Sequence, residues 1–115
     1  MHETIDRTAS HLTDYCRAYA KGRISAERLL SFTYHVLSEH ALDDDGKIGF
    51  VLEALEEPEL VALSDACADS LWHGKRGDSF KVANIRWTGS GIVDGLENTR
   101  VPYEFVRRLG RATRV

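Results

Sequence analysis

Asp43, Asp45, Gly46 and Ile48 stand where a calcium loop wants two oxygen ligands, its turn glycine and its apolar eighth position. The chemistry also needs a carboxylate at position 1 and a bidentate one at position 12. Those positions hold Ala41 and Leu52, and Glu53 comes one residue too late. A loop lacking both closing carboxylates is not expected to hold calcium. The alternative role is local: Asp44 or Asp45 caps a following helix, whose positive N-terminal end favours acidic neighbours.

Other chemistries are tested in the same way. The histidines are His2, His11, His35, His40 and His73, and no two are four apart on one helix. There is no C-x-x-C or H-E-x-x-H, so no zinc site and no cofactor are expected. His35 reads as a residue among the apolar positions of its helix. Gly89, Gly91 and Gly95 miss the dinucleotide-binding spacing, and no Gly-Lys-Ser/Thr follows them. No serine lies in a G-x-S-x-G context, and Cys16 has no nucleophile signature. Arg76-Gly77-Asp78 spells an integrin-binding tripeptide but reads as a solvated turn. The expectation is a protein with no catalytic residues.

Charge is the more informative signal. Residues 39–69 carry ten acidic side chains and one lysine, while 1–38 are nearly balanced and 71–115 hold nine basic against four acidic residues. An overall charge of -3 conceals this segregation. Such a block bears on the choice of partner. At the other end, Arg107, Arg108, Arg111 and Arg114 form a basic stripe, readable as phosphate contacts or as cations at the negative end of a helix.

The elements that would position these groups are mostly helical. The 115 residues suit one domain, 1–115, able to bury a core. Ile5, Leu12, Tyr15, Cys16 and Tyr19 predict a helix over about 3–21, stopped by Gly22. Ser25 predicts an N-cap for the next helix, with Ile24 and Leu29 as a hydrophobic staple. Ile48, Val51, Leu52 and Leu55 predict a third helix over 47–56. Pro58 opens a fourth, over 58–73, with Leu60, Leu63, Cys67 and Leu71 inward and Asp65 and Asp69 outward. "FKVANIRW" reads as a short strand or a helical turn, and "TGSGIVDGLENT" as turn-rich. Pro102 opens a last helix over about 102–110, with Tyr103, Val106 and Leu109 inward. The fold class expected is mostly α: a compact four- to five-helix bundle with an irregular, short-β segment near 80–100. No apolar run is long enough to cross a membrane, and the polar N-terminus lacks a secretory signal. Cys16 and Cys67, both in apolar patterns, favour free thiols in a cytoplasmic protein over a disulfide.

The segment "LTDYCRAYAKGRISAERLLSFTYHVL", residues 12–37, resembles the opening of colicin-D-type bacteriocin immunity proteins. Tyr19, Gly22, Ile24, Ser25 and Ala26 carry the resemblance: a first helix ends in a short turn and a second follows at once. The Gly-rich stretch 88–95 and the Arg-rich end depart from that pattern. The resemblance implies a small helical bacterial protein that inactivates a nuclease toxin by covering its active site. An acidic surface would imitate the phosphate backbone that such a basic cleft holds.

The expected function is therefore a protein-binding module for a basic partner such as a toxin nuclease. Its expected contact residues are Asp43, Asp44, Asp45, Glu53, Glu56, Glu57, Glu59, Asp65 and Asp69, forming one acidic face across the third and fourth helices. Phe50 or Trp72 would anchor it where exposed. The alternative is a nucleic-acid-binding or regulatory protein using Arg100, Arg107, Arg108, Arg111 and Arg114. A small enzyme built on His35 and His40 ranks third. A membrane partner is not expected.

Overall fold

The computed structural model describes the backbone of residues 2–73, 79–88 and 91–114, and the side chains of 3–71 and 101–114. Within them run five helices and one antiparallel hairpin: α1 (His2–Ala20), α2 (Ala26–Glu39), α3 (Asp45–Glu53), α4 (Glu57–His73), β1 (Ser79–Thr88), β2 (Gly91–Pro102) and α5 (Tyr103–Thr113). The fold is mostly α, as the helical periods predict. No helix among the described residues is long and apolar enough to cross a membrane.

Two short turns set the directions of the first three helices. After α1, Gly22 takes φ 73°; its N–H donates to Tyr19 O at 2.9 Å and that of Arg23 to Ala18 O at 2.9 Å. This pair of bonds is the Schellman closure, which uses a left-handed residue that glycine adopts without steric cost. Ser25 then caps α2, its hydroxyl accepting from Arg28 N at 3.2 Å. After α2 the same closure recurs without a glycine. Ala41 takes φ 54°, its N–H donates to Ser38 O at 3.2 Å, and Leu42 N–H donates to Leu37 O at 2.7 Å.

Helix α2 is the centre of the molecule. Ala26, Leu29, Leu30, Ser31, Phe32, Thr33, Val36 and Leu37 are all buried, covering most of its circumference. A helix apolar on nearly every side must be surrounded. Here α1, α4 and the hairpin pack against it. The Phe32 ring meets Tyr15 of α1 with centroids 3.7 Å apart, and Tyr34 meets Phe105 of α5 edge-on at 4.9 Å. His35, expected among these apolar positions, is exposed instead and lies 3.5 Å from Glu39, one turn along.

Helix α4 holds Leu63 and Cys67 inward and Asp65 and Asp69 outward as expected, but the rest of its inner face differs. Its buried row is Glu59, Ala62, Leu63, Ala66, Cys67 and Ser70, while Leu60 and Leu71 only border the core. Small side chains make this row the one that approaches its neighbours closely. Opposite it, Gly110 of α5 sits so near that an added Cβ would lie 3.3 Å from Cys67 Cβ.

The segment 79–102 forms the hairpin. Ser79 pairs with Pro102 and Lys81 with Arg100, and the register shifts between Ala83 and Ile85. Across that shift Ala83 faces Asn98 and Ile85 faces Asp94, so three β2 residues stand against Asn84 alone. A bulge of this kind bends a strand and breaks its alternation. The extra residues, 95–97, belong to β2, the strand whose sequence reads as turn-rich, and Gly95 among them suits such a bulge. The Arg76–Asp78 tripeptide, Gly74, Gly89 and the side chains of Trp72, His73 and Arg100 lie outside the described residues.

Candidate functional site

The three aspartates that suggested calcium have other work. Asp44 is the N-cap of α3, its Oδ1 accepting from Lys47 N at 2.8 Å. Asp45 opens the helix and lies 3.2 Å from Arg108 Nε of α5, whose Nη2 also donates to the Asp43 carbonyl. Ala41, at the loop's first position, is the left-handed residue that closes α2, and Lys47 Nζ donates to its carbonyl at 3.1 Å. The stretch is a helix–turn–helix junction tied to α5. Among the described residues no group of three or more His, Cys, Asp or Glu side chains is placed to hold a metal ion.

Eight of the nine carboxylates expected at the docking surface are exposed: Asp43, Asp44, Asp45, Glu53, Glu56, Glu57, Asp65 and Asp69. Glu59 is the exception and a correction. It sits on the buried row of α4 with 2% of its surface exposed, its Oε1 3.1 Å from Arg17 Nε of α1. Buried in the bundle, it offers nothing to a partner. The cause is its position four residues before Leu63 and eight before Cys67, on one helical face with them.

The exposed carboxylates divide into groups because α3 packs on α1 and α5 rather than along α4. Asp43, Asp44 and Asp45 stand at the α3 N-terminus beside Arg108. Glu53, Glu56 and Glu57 lie at the α3–α4 corner, about 12 Å along the helix from Asp45 at 1.5 Å per residue. Asp65 and Asp69 extend along α4. Between Glu57 and Asp65 lies Val61, so Glu57, Val61, Asp65 and Asp69 follow one another at four-residue steps as one ridge. Val61 is 49% exposed and Phe50 of α3 is 55% exposed, two large apolar side chains in water. Phe50 meets the exposure that the sequence reading asks of an anchor, and the Trp72 side chain lies outside the described residues. Val61 is not among the anchors expected from sequence, although an apolar residue four from acidic ones on both sides is a signal that sequence carries.

Beside this ridge runs a groove of ≈ 370 Å³ between α1 and α4, lined by Tyr19, Ala20, Pro58, Val61, Ala62 and Asp65. Burial pushes the Tyr19 phenol above its ordinary value, and the Asp69, Asp65 and Glu27 carboxylates push it further. Those carboxylates come from α4 and α2, so negative charge converges on Tyr19 from two helices.

The arginines are partly engaged. Arg107 Nη1 donates to Glu104 Oε1 at 2.9 Å, and Arg108 is tied to α3 as above. Arg111 and Arg114 are exposed, and with Arg107, Leu71 and Gly110 they line a hollow of ≈ 230 Å³.

The chain matches no protein-family model, no curated protein and no solved structure. The class defined by its own residues is a mostly helical domain with a hairpin, carrying exposed carboxylates on α3 and α4.

Proposed function

We propose that this chain is a cytoplasmic protein-binding module that holds a basic protein against α3 and α4, in the manner of an immunity protein covering a cationic nuclease toxin. One observation carries the reading. Among the described residues both large apolar side chains left in water, Phe50 and Val61, fall inside the strongly acidic segment 39–69. Interfaces place apolar, often aromatic, groups at the centre and polar groups around them. Here Phe50 has Glu53 one turn on, and Val61 has Glu57 and Asp65 on either side. The carboxylates would speed encounter with a cationic surface and exclude acidic ones, while the apolar side chains supply contact area. The resemblance of residues 12–37 to colicin-D-type immunity proteins points to the same kind of partner.

The test is capture from source lysate by tagged protein at low and high salt. Wild type is expected to retain a basic protein that the triple variant Glu53→Lys, Glu56→Lys, Glu57→Lys releases, with helicity unchanged by circular dichroism. Equal retention by the triple variant would refute the reading.

A second reading rests on the face of α5 where Arg107, Arg111 and Arg114 gather around Leu71. It predicts a nucleic-acid gel shift that weakens with salt and with Arg111→Glu plus Arg114→Glu. The position of these arginines at the C-terminal end of a helix, where cations offset the dipole, already accounts for them structurally. Absence of a shift at low salt removes this reading.

A further inference from the structure

We infer that the groove between α1 and α4 receives an arginine side chain of the basic partner. The inference rests on the docking reading above and names one point of contact within it. The groove has an apolar lining from Ala20, Pro58, Val61 and Ala62, a carboxylate wall at Asp65 and an aromatic ring at Tyr19. That sequence of surfaces matches an arginine from stem to head. The aliphatic stem lies along apolar groups, and the planar guanidinium meets a carboxylate through two parallel N–H bonds while stacking on an aromatic face. Among the described residues no cationic side chain lines it.

The backbone brings both signs to the groove, so its side chains decide the occupant. The α1 wall is the last turn of a helix, where carbonyl ends concentrate partial negative charge. The α4 wall is that helix's first turn, a positive dipole end, but Pro58 has no N–H to present to an anion and the Glu59 and Leu60 N–H groups donate to Glu56 O. Glu27 of α2 and Asp69 of α4 add charge around Tyr19 from outside the groove. An anion would meet carboxylates here from more than one helix, and a purely apolar group would leave Asp65 desolvated without a partner.

The experiment uses the full chain and a defined probe. Acetyl-Ala-Arg-Ala-amide is titrated into labelled protein by NMR, beside the same peptide carrying citrulline, a neutral isostere of arginine. The arginine peptide is expected to give saturable shifts at Tyr19, Val61 and Ala62, with at least tenfold weaker binding for citrulline. Asp65→Asn should weaken binding at least fivefold, and Asp6→Asn, an exposed carboxylate near the start of α1, should leave it within twofold. Equal binding of citrulline, no effect of Asp65→Asn, or shifts spread alike over all surface carboxylates would each overturn the assignment. If the triple reversal at Glu53, Glu56 and Glu57 releases a captured partner while Asp65→Asn changes neither partner nor peptide, the groove is wrong and the docking reading stands. If the peptide occupies the groove but the triple reversal leaves capture intact, the docking reading is the one that fails.

Discussion

Arg17 Nε lies 3.1 Å from Glu59 Oε1 across α1 and α4, yet the arginine side chain is 57% exposed and the glutamate side chain 3%. One charge is in water and the other is in the core. The second glutamate oxygen, Oε2, has no hydrogen-bond partner in the described structure. A buried carboxylate satisfied on one side only is costly, and its attraction to a half-solvated arginine offsets part of that cost.

This predicts an asymmetric pair of variants. Removing Arg17 strands the carboxylate, so Arg17→Ala is expected to destabilise by about 1–3 kcal/mol, less than for a fully buried pair because water reaches the arginine's side. Removing the charge instead relieves the problem. Glu59→Met, of similar volume, is expected to cost under about 1 kcal/mol or to stabilise. Urea titrations of both variants decide it. A harmless Arg17→Ala beside a damaging Glu59→Met would reverse the account and make Glu59 the member the fold depends on.

Ala41 offers a gain rather than a loss. Its φ of 54° is a left-handed conformation that costs a residue with a Cβ about 1–2 kcal/mol. Glycine removes that cost and gives back part through a more flexible unfolded chain, about 0.4–1 kcal/mol. Ala41→Gly should therefore raise stability by roughly 0.5–1 kcal/mol by these opposing terms. Thermal melts of the two proteins provide the measurement. A fall in melting temperature would show that the closure after α2 is not under strain.

These two sites also show where sequence reading worked and where it stopped. Gly22 and Ser25 were readable because their chemistry is local: a missing Cβ permits the turn, and a hydroxyl caps the helix. Ala41 makes the same turn, but alanine carries no mark of it; the burial of Leu42 and Leu37 holds the turn in place. Glu59 failed for another reason. Large apolar residues point to Leu60, Leu63, Cys67 and Leu71 as the inner face of α4, and of these only Leu63 and Cys67 are buried. Close packing selected Ala62, Ala66 and Ser70 instead, and Glu59 went inward with that row. Eight exposed carboxylates were legible as charge. The groove was not, because all of α2 and α3 lie between Tyr19 and Asp65 in the chain and only packing brings them together.

Two glycines in helices should respond in opposite directions. Gly49, in α3, has no atom of the described residues within 4 Å of an added Cβ, so Gly49→Ala is expected to stabilise through helix propensity alone, by about 0.5–1 kcal/mol. Gly110 faces Cys67 at 3.3 Å, already tight for one carbon. Gly110→Val adds two more carbons at the α4–α5 contact and is expected to cost about 1–3 kcal/mol despite its better propensity. If Gly110→Val were as stable as wild type, α5 would have to be free to shift away from α4. Near-ultraviolet circular dichroism of Tyr15 and its neighbours would then report looser packing.

The two buried thiols should set the alkaline limit of stability. Burial pushes Cys16 from 9.0 to about 12, with Glu59 and then Cys67 adding to it, and burial pushes Cys67 from 9.0 to about 12. A thiol whose folded pKa is raised favours the folded state fully below its unfolded pKa, and that advantage is lost as pH climbs toward the folded value. The window is therefore pH 9 to about 12. Within it each thiol removes roughly 1 kcal/mol per pH unit, because the unfolded chain releases a proton that the folded chain retains. Tyr15, raised from 10.0 to about 12 by burial, joins above pH 10. The double variant Cys16→Ala, Cys67→Ala should be less stable than wild type at pH 7 because it leaves cavities. It should also lose stability more slowly with rising pH, so the two curves converge between pH 9 and 11. Tyr15 is common to both proteins and does not alter the difference. Urea midpoints at pH 7, 9 and 10.5 provide the comparison. Parallel curves would mean that water reaches the thiols in the folded state and that the core between α1 and α4 is open at Cys16 and Cys67.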